Sequence, residues 1–319
     1  MSSETGQVDV LQATKDAEIR IVPDVNSYSE YRRIASQRLA ASSIIVDRAR
    51  NNPSWDMWKV GDGYYGSHFI PGSPDASSRY DEPLYGDEEI IDMYIDDALN
   101  SDRHKDGTPV VFIDFGAGLG LSAIRIAASR RSLIESGRLK VIATNLALTL
   151  GNEEDSQGYT GIARILANND NYSRTKEEID FIQQNQGLVT FLQSTATELT
   201  EISVTQESGN DLTLLGNVDV VHEQMALTHS HIPDIDIPAL GRLLGSEGTL
   251  ILGYYLAPHP AYSPIVFTND GTIIDTQDPD YDQGRRDAYE VGLRVLEFMS
   301  LSKEPLAFGD GAIFRNLRQ

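Results

Sequence analysis

Residues 110 to 120 read Val-Val-Phe-Ile-Asp-Phe-Gly-Ala-Gly-Leu-Gly, and few folds accommodate such a stretch. The apolar run Val110 to Ile113 suits a strand buried on both faces of a parallel sheet. Asp114 follows it, then three glycines at alternate positions, Gly116, Gly118 and Gly120. A helical pattern opens at Leu121. Strand, glycine turn and helix together make a surface that accepts the backbone-hugging part of a nucleotide-like ligand. A Cβ in the turn would hold such a ligand away from the main chain. Leu121 stands where a dinucleotide fingerprint requires its third glycine, which disfavours a nucleotide-cofactor oxidoreductase.

From about residue 108 onward, strand and helix patterns alternate, as in a doubly wound α/β sheet. The strands are expected at 110–115, 139–144, 188–193, 218–222 and 249–255. Between them come a helix over 121–136 that ends at Gly137 and one opened by a Thr175/Glu178 capping box that ends at Gly187. A third helix starts at Pro238 and ends near Gly245. The stretch 256–286 carries an inserted hairpin, 265–267 and 272–274 around Asn269-Asp270-Gly271. A helix over 287–300 and two short strands flanking Gly309-Asp310-Gly311 close the chain. The expected architecture is a seven-stranded, mostly parallel sheet with helices on both faces and an antiparallel last strand near 312–318.

The first 106 residues form a separate helical and loop-rich extension. Residues 1 to about 26 read as a loose lead-in. Ser27 and Glu30 make a capping box for a helix running to about Arg50. That helix carries Arg32, Arg33, Arg38, Arg48 and Arg50, which suits either a solvated face or the docking of an acidic group. Residues 51–86 hold loop formers with Trp55, Trp58, Tyr64, Tyr65, His68, Tyr80 and Tyr85, suited to a lid, an acceptor wall or simple anchors. A helix over 87–99 places Ile91, Tyr94, Ile95 and Ala98 on one face.

Charge narrows the partners. The 319 residues carry 48 acids against 26 Lys plus Arg, a net charge of -22. That balance disfavours a broad nucleic-acid or anionic-membrane surface. With no cysteine, disulfides, thiolate metal sites and cysteine nucleophiles are all excluded. Met1 to Asp9 is polar, and no run approaches the roughly 20 apolar residues of a membrane span. A cytoplasmic location is the expectation. The oligomeric state is left open.

The pattern acid-x-Gly-x-Gly-x-Gly at Asp114–Gly120 resembles the first motif of class I S-adenosylmethionine-dependent methyltransferases. Asn217-Val218-Asp219-Val220-Val221-His222-Glu223 resembles the family's fourth motif. The stretch from Leu240 to Leu250 is similar to its helix, tight turn and fifth strand, with Gly-Ser-Glu-Gly replacing the usual Pro-Gly-Gly. The resemblance covers about two thirds of the chain. It implies S-adenosylmethionine as cofactor, with Asp114, Gly116, Ala117, Gly118 and Gly120 around its amino-acid end. Asn145 takes the place of the acid that accepts both ribose hydroxyls. Thr195, with Ala196 beside it, takes that of the acid near the adenine amine. Asn bonds one hydroxyl but loses the charge-assisted pair.

Methyl transfer is an in-line displacement that needs positioning, exclusion of water and, for a protonated acceptor, a base. In an open α/β sheet the reacting groups lie at the carboxyl ends of the strands. His222 with Glu223 is the general-base candidate, against the plainer role of a hydrogen-bonded structural histidine. Tyr64, Tyr65, His229, Tyr254 and Tyr255 are the candidate acceptor contacts. His229, His231, Asp234 and Asp236 have spacing that allows a metal, but a capped turn before the following helix is preferred, and no metal is expected. Two functions remain: methyl transfer to a small-molecule or peptide-like acceptor, and a non-catalytic binding or scaffold protein on the same fold. The second would account for Asn145 and Thr195.

Overall fold

The computed structural model describes residues 3–51, 87–117, 120–146, 176–205, 211–223, 226–227, 230–252, 265–267, 273–275, 278–305 and 312–317. In chain order the elements begin with α1 (Ser3–Ile21), α2 (Val25–Asn51) and α3 (Asp87–Asn100). The sheet region follows with β1 (Val110–Phe115), α4 (Leu121–Ser129), α5 (Arg131–Glu135), β2 (Leu139–Asn145), α6 (Lys176–Asn185) and β3 (Val189–Gln193). Next come α7 (Ala196–Leu199), β4 (Ser203–Thr205), β5 (Asp211–Thr213), β6 (Val218–Glu223), α8 (Pro233–Leu243) and β7 (Leu244–Leu252). The chain closes with β8 (Ile265–Phe267), β9 (Ile273–Asp275), α9 (Pro279–Phe298), β10 (Leu301–Pro305) and β11 (Ala312–Asn316). Among the described residues no helix is long and apolar enough to cross a membrane.

Seven strands form one sheet in the order β3-β2-β1-β6-β7-β11-β10. The first five are mutually parallel, and β11 runs antiparallel to both its neighbours. β1 therefore lies inside the sheet, as its unbroken apolar run requires. Val111, Ile113 and Val221 pack on one face with Ile237 and Leu240 of α8 and Leu293 and Leu296 of α9. Val110, Phe112 and Val220 pack on the other face with Ile91 and Ile95 of α3 and Ile124 of α4. At the amino ends, Asp219 on β6 ties the strands together. Its Oδ2 accepts from Val111 N at 2.8 Å and its Oδ1 lies 2.9 Å from His104 Nε2.

Several element boundaries differ from the sequence expectation. The lead-in is not loose: α1 is a helix that buries Ala13 and Ala17 against Val291 and Val295 of α9. Its buried face is made of small alanines, so it leaves a faint hydropathy pattern. Asp24 rather than Ser27 caps α2, accepting from Asn26 N at 2.8 Å, while Glu30 pairs with Arg33. Pro233 takes the first position of α8 and Pro238 lies inside the helix. α9 begins at Pro279, eight residues early, because Asp278 caps it by accepting from Asp280 N. The Gly245–Gly248 turn appears as an irregularity at the start of β7, where pairing steps from Val218↔Leu244 to Val220↔Thr249. Glu247 there has φ 64°. The expected helix over 121–136 is broken at Arg130 into α4 and α5 and does end at Gly137, φ 70°. The hairpin strands β8 and β9 pair antiparallel as expected, and their turn lies outside the described residues. So do residues 147–175 and the aromatic segment 52–86.

Arg38 does not belong to a solvated face. Its side chain is 1% exposed and grips Asp234 with both terminal nitrogens, Nη1 to Oδ1 at 2.8 Å and Nη2 to Oδ2 at 3.1 Å. Nη1 also donates to the His231 carbonyl at 3.1 Å. The acidic group that α2 docks is therefore the chain's own α8. Beside it, the Tyr281 hydroxyl lies 2.7 Å from His231 Nδ1. Burial, with the Arg285 and Arg38 charges, pulls the His231 imidazole down to about 3.

Two outcomes are expected from this cluster. Removing one partner of a buried ion pair strands the other charge, so Arg38→Met should lower the unfolding free energy by about 3–5 kcal/mol. Arg38→Met with Asp234→Leu should recover most of that loss, as read by urea denaturation. His231 stays neutral when folded but charges when unfolded below about pH 6.5, so acid favours the unfolded chain. Between pH 6.5 and 5 this one residue should cost about 2 kcal/mol, at about 1.4 kcal/mol per pH unit. The difference in stability between wild type and His231→Gln, followed from pH 7 to 5, should show it. A constant difference would exclude the linkage.

Candidate functional site

The turn after β1 is built from backbone. Gly116 has φ 68°, its N–H approaches Thr144 Oγ1 at 3.3 Å, and Ala117 N donates to Thr144 O at 2.9 Å. Gly120, at φ 71°, is the residue before α4, and its N–H donates to Ala117 O at 2.7 Å. Two left-handed positions bracket the turn, and L side chains pay about 1–2 kcal/mol there. Gly116 has a second reason: a Cβ on it would stand 2.1 Å from the Cβ of Ala226. What this glycine admits is thus the segment that follows β6. Gly118 lies outside the described residues. Gly116→Ala should cost about 2–4 kcal/mol, strain plus overpacking. Denaturant unfolding tests it, and a loss under about 1 kcal/mol would mean that Ala226 moves aside freely.

At the carboxyl ends of β1 and β6 the parallel register sets Asp114 opposite His222. His222 Nδ1 and Asp114 Oδ1 are 3.0 Å apart, and both side chains are buried. A carboxylate accepts a hydrogen bond from Nδ1–H and keeps the proton on that nitrogen, which leaves the ring's lone pair on Nε2. Sequence reasoning paired His222 with Glu223, but neighbours on a strand point to opposite faces. Asp114 and His222 share the side of Phe112 and Val220, and Glu223 shares that of Val221. Glu223 Oε1 accepts from Leu227 N at 2.7 Å. Its carboxyl is pushed up to about 7, above all by burial and in smaller part by Asp114. The N–H groups of Leu227 and Ala226 and the His222 charge oppose that rise.

The ends of β2 and β3 are stitched together. Asn145 Oδ1 accepts from Leu146 N at 2.9 Å, and the Asn145 carbonyl accepts from Ser194 N at 3.0 Å. Thr195 caps α7 in a reciprocal box. Its Oγ1 accepts from Glu198 N at 3.2 Å, and Glu198 Oε2 accepts from Thr195 N at 2.8 Å. Ala196 is buried beneath it. Ser194 was not singled out in the sequence. It is buried, and its Oγ has no hydrogen-bond partner among the described residues. Only its place after the third strand signalled it.

Tyr64, Tyr65, His229, Tyr254 and Tyr255 lie outside the described residues, as do Gln224 and His259. The remaining members of the loop cluster have structural partners. His231 meets Tyr281, Asp234 meets Arg38, and Asp236 accepts from Ser230 Oγ at 2.5 Å. Burial raises the Asp236 carboxyl to about 6. Ser230 Oγ also accepts from Ile232 N at 3.0 Å, so this is a capped turn ahead of α8. Among the described residues no three metal-ligating side chains come together.

Along the carboxyl edge lie a left-handed glycine turn at the end of β1, the Asn145 amide at the end of β2 and, after β3, the buried Ser194 hydroxyl, which has no hydrogen-bond partner among the described residues. No protein-family model and no curated protein matches the sequence. Solved structures do match. One is described as the O-methyltransferase NovP, 13% identical over 86% of this chain and 98% of its own, TM-score 0.42. Another is the CurJ carbon methyltransferase, 13% identical over 92% and 72%, TM-score 0.43. A third is an S-adenosylmethionine-dependent methyltransferase from Aquifex aeolicus, 12% identical over 77% and 94%, TM-score 0.37. The order and direction of the seven strands, taken from this chain itself, are those of the class I methyltransferase fold that its motifs resemble.

Proposed function

We propose that this chain is an S-adenosylmethionine-dependent methyltransferase acting on a small-molecule or peptide-like acceptor. The observation that carries the reading is the junction of β1 and β6. There a left-handed glycine turn and a buried Asp114–His222 pair meet at the carboxyl edge of the sheet. That edge is where open α/β sheets bind ligands. The cofactor, when bound, supplies a methyl group on a positively charged sulfur.

The chain's own residues then have distinct tasks. Gly116, Ala117, Gly118 and Gly120 hold the amino-acid end of the cofactor, with Asp114 beneath the turn. Asn145 bonds a ribose hydroxyl. Ser194, Thr195 and Ala196 lie along the adenine. Asp114 keeps the proton of His222 on Nδ1, so Nε2 is the nitrogen that accepts a proton from the acceptor. Tyr64, Tyr65, His229, Tyr254 and Tyr255 are the candidate acceptor contacts, suited to a site that excludes water. The chain's net charge of -22 points away from nucleic acid as acceptor.

Calorimetric titration with S-adenosylmethionine and with S-adenosylhomocysteine tests this directly. Both should bind, and Asn145→Asp should tighten each by about 1 kcal/mol as a neutral hydrogen bond becomes a charged one. If neither nucleoside binds the wild type, the reading is wrong, and a non-catalytic binding protein on the same sheet is what remains.

A further inference from the structure

Glu223 ends the central strand β6 with an exposure of 0%. Its two oxygens differ. Oε1 accepts from Leu227 N at 2.7 Å and so fixes the turn whose Ala226 is seated against Gly116. Oε2 is buried and has no hydrogen-bond partner among the described residues. Among the described residues one other buried carboxyl oxygen lacks a hydrogen bond, Asp92 Oδ1, and it has the Arg130 guanidinium at 2.9 Å, while the fully buried carboxylates elsewhere find donors. Glu18 takes Arg32 and Tyr28, Asp114 takes His222, Asp219 takes His104 and Val111 N, and Asp234 takes Arg38. A buried carboxyl oxygen without a donor is costly, and such exceptions call for an explanation. Glu223 pairs with Phe115, the residue before the glycine bend, at the carboxyl edge where open α/β sheets bind ligands.

We propose that Glu223 binds an amine of the ligand, Oε1 staying on Leu227 N while Oε2 receives an N–H of a protonated nitrogen. This rests on the methyl-transfer reading. A hydroxyl would satisfy the hydrogen bond but leave a buried negative charge uncompensated, whereas an ammonium satisfies both. Two sources carry that chemistry: the α-ammonium of the cofactor and an amine on the acceptor. The charges that reach Glu223 come from across the sheet, His222 on its own strand and Asp114 on β1, while the N–H groups of Leu227 and Ala226 lie beside it. Burial raises the carboxyl to about 7, so at neutral pH it holds a proton part of the time. An ammonium favours the ionised form, so binding expels that proton, about half a proton per site at pH 7.

Calorimetry on the full chain distinguishes the cases. Wild type and Glu223→Gln, which keeps an acceptor oxygen for Leu227 N, are titrated with S-adenosylhomocysteine and with 5′-methylthioadenosine, which lacks the amino-acid end. Ethylamine is then titrated into the S-adenosylhomocysteine complex. Phosphate and Tris buffers report proton release, and the thermal midpoint reports folding. If the cofactor's ammonium is the partner, Glu223→Gln loses tenfold or more in affinity for S-adenosylhomocysteine and none for 5′-methylthioadenosine. If the acceptor's amine is the partner, both nucleosides bind unchanged and Glu223→Gln abolishes ethylamine binding. In either case proton release disappears with the variant. Unchanged binding of all three probes overturns the inference, as does an equal loss of all three with a lowered thermal midpoint. A wild type that binds neither nucleoside removes the methyl-transfer reading instead, and the inference with it.

Discussion

The position of β1 governs the rest of the molecule. It is buried on both faces and paired along both edges, with β2 on one side and β6 on the other. A strand in that place has no freedom to slip, since a one-residue shift would turn every side chain to the wrong layer. The same register fixes two charged contacts. At the amino end Asp219 of β6 receives Val111 N, and at the carboxyl end Asp114 of β1 faces His222 of β6. Each carboxylate is held by its neighbour strand, so the sheet needs no water to satisfy them. The glycine turn inherits its position from this arrangement, because its amides are pinned to Thr144 at the end of β2.

The helices answer to a second centre, α9. It receives α1 through Val291 and Val295, and α2 at Gly284, where an added Cβ would stand 2.4 Å from Ile34 Cγ2. Beside it, Arg38 of α2 holds Asp234 and the His231 carbonyl. The segment that leaves β6 at Glu223 is thus tied down again at His231 by a helix from the other end of the sequence.

How much of this was legible follows from where each signal lies. β1, β2, β3 and β6 were readable as short apolar-rich runs bounded by turn residues, and the closing antiparallel pair β10–β11 by the Gly309-Asp310-Gly311 turn signal between its strands. Helix starts were read less well, since Asp24, Asp278 and Pro233 compete with other residues for the same capping and first-turn roles. The site divides in the same way. Asp114, Gly116 and Gly120 stand out by pattern, and the structure sets them in and after β1. Thr195 follows β3, but its use as a helix cap depends on Glu198 turning back, which pattern does not reveal. The Arg38–Asp234 pair joins residues that only folding brings together, so no local window contains it.

The separation of His222 from Glu223 is the less obvious consequence of the strand. Adjacent in sequence, they face different layers, and each is tuned by its own surroundings. His222 sits with Asp114 on the layer of α3 and α4, where a carboxylate fixes which ring nitrogen carries the proton. Glu223 sits on the layer of α8 and α9, where burial holds its charge in check and the Leu227 amide restrains one oxygen. The sheet between them weakens their coupling without removing it, since the His222 and Asp114 charges still act on the Glu223 carboxyl, less than burial does. The layers meet only where the sheet stops, at the carboxyl edge of β1 and β6, and the chain bends at Gly116 around that same point.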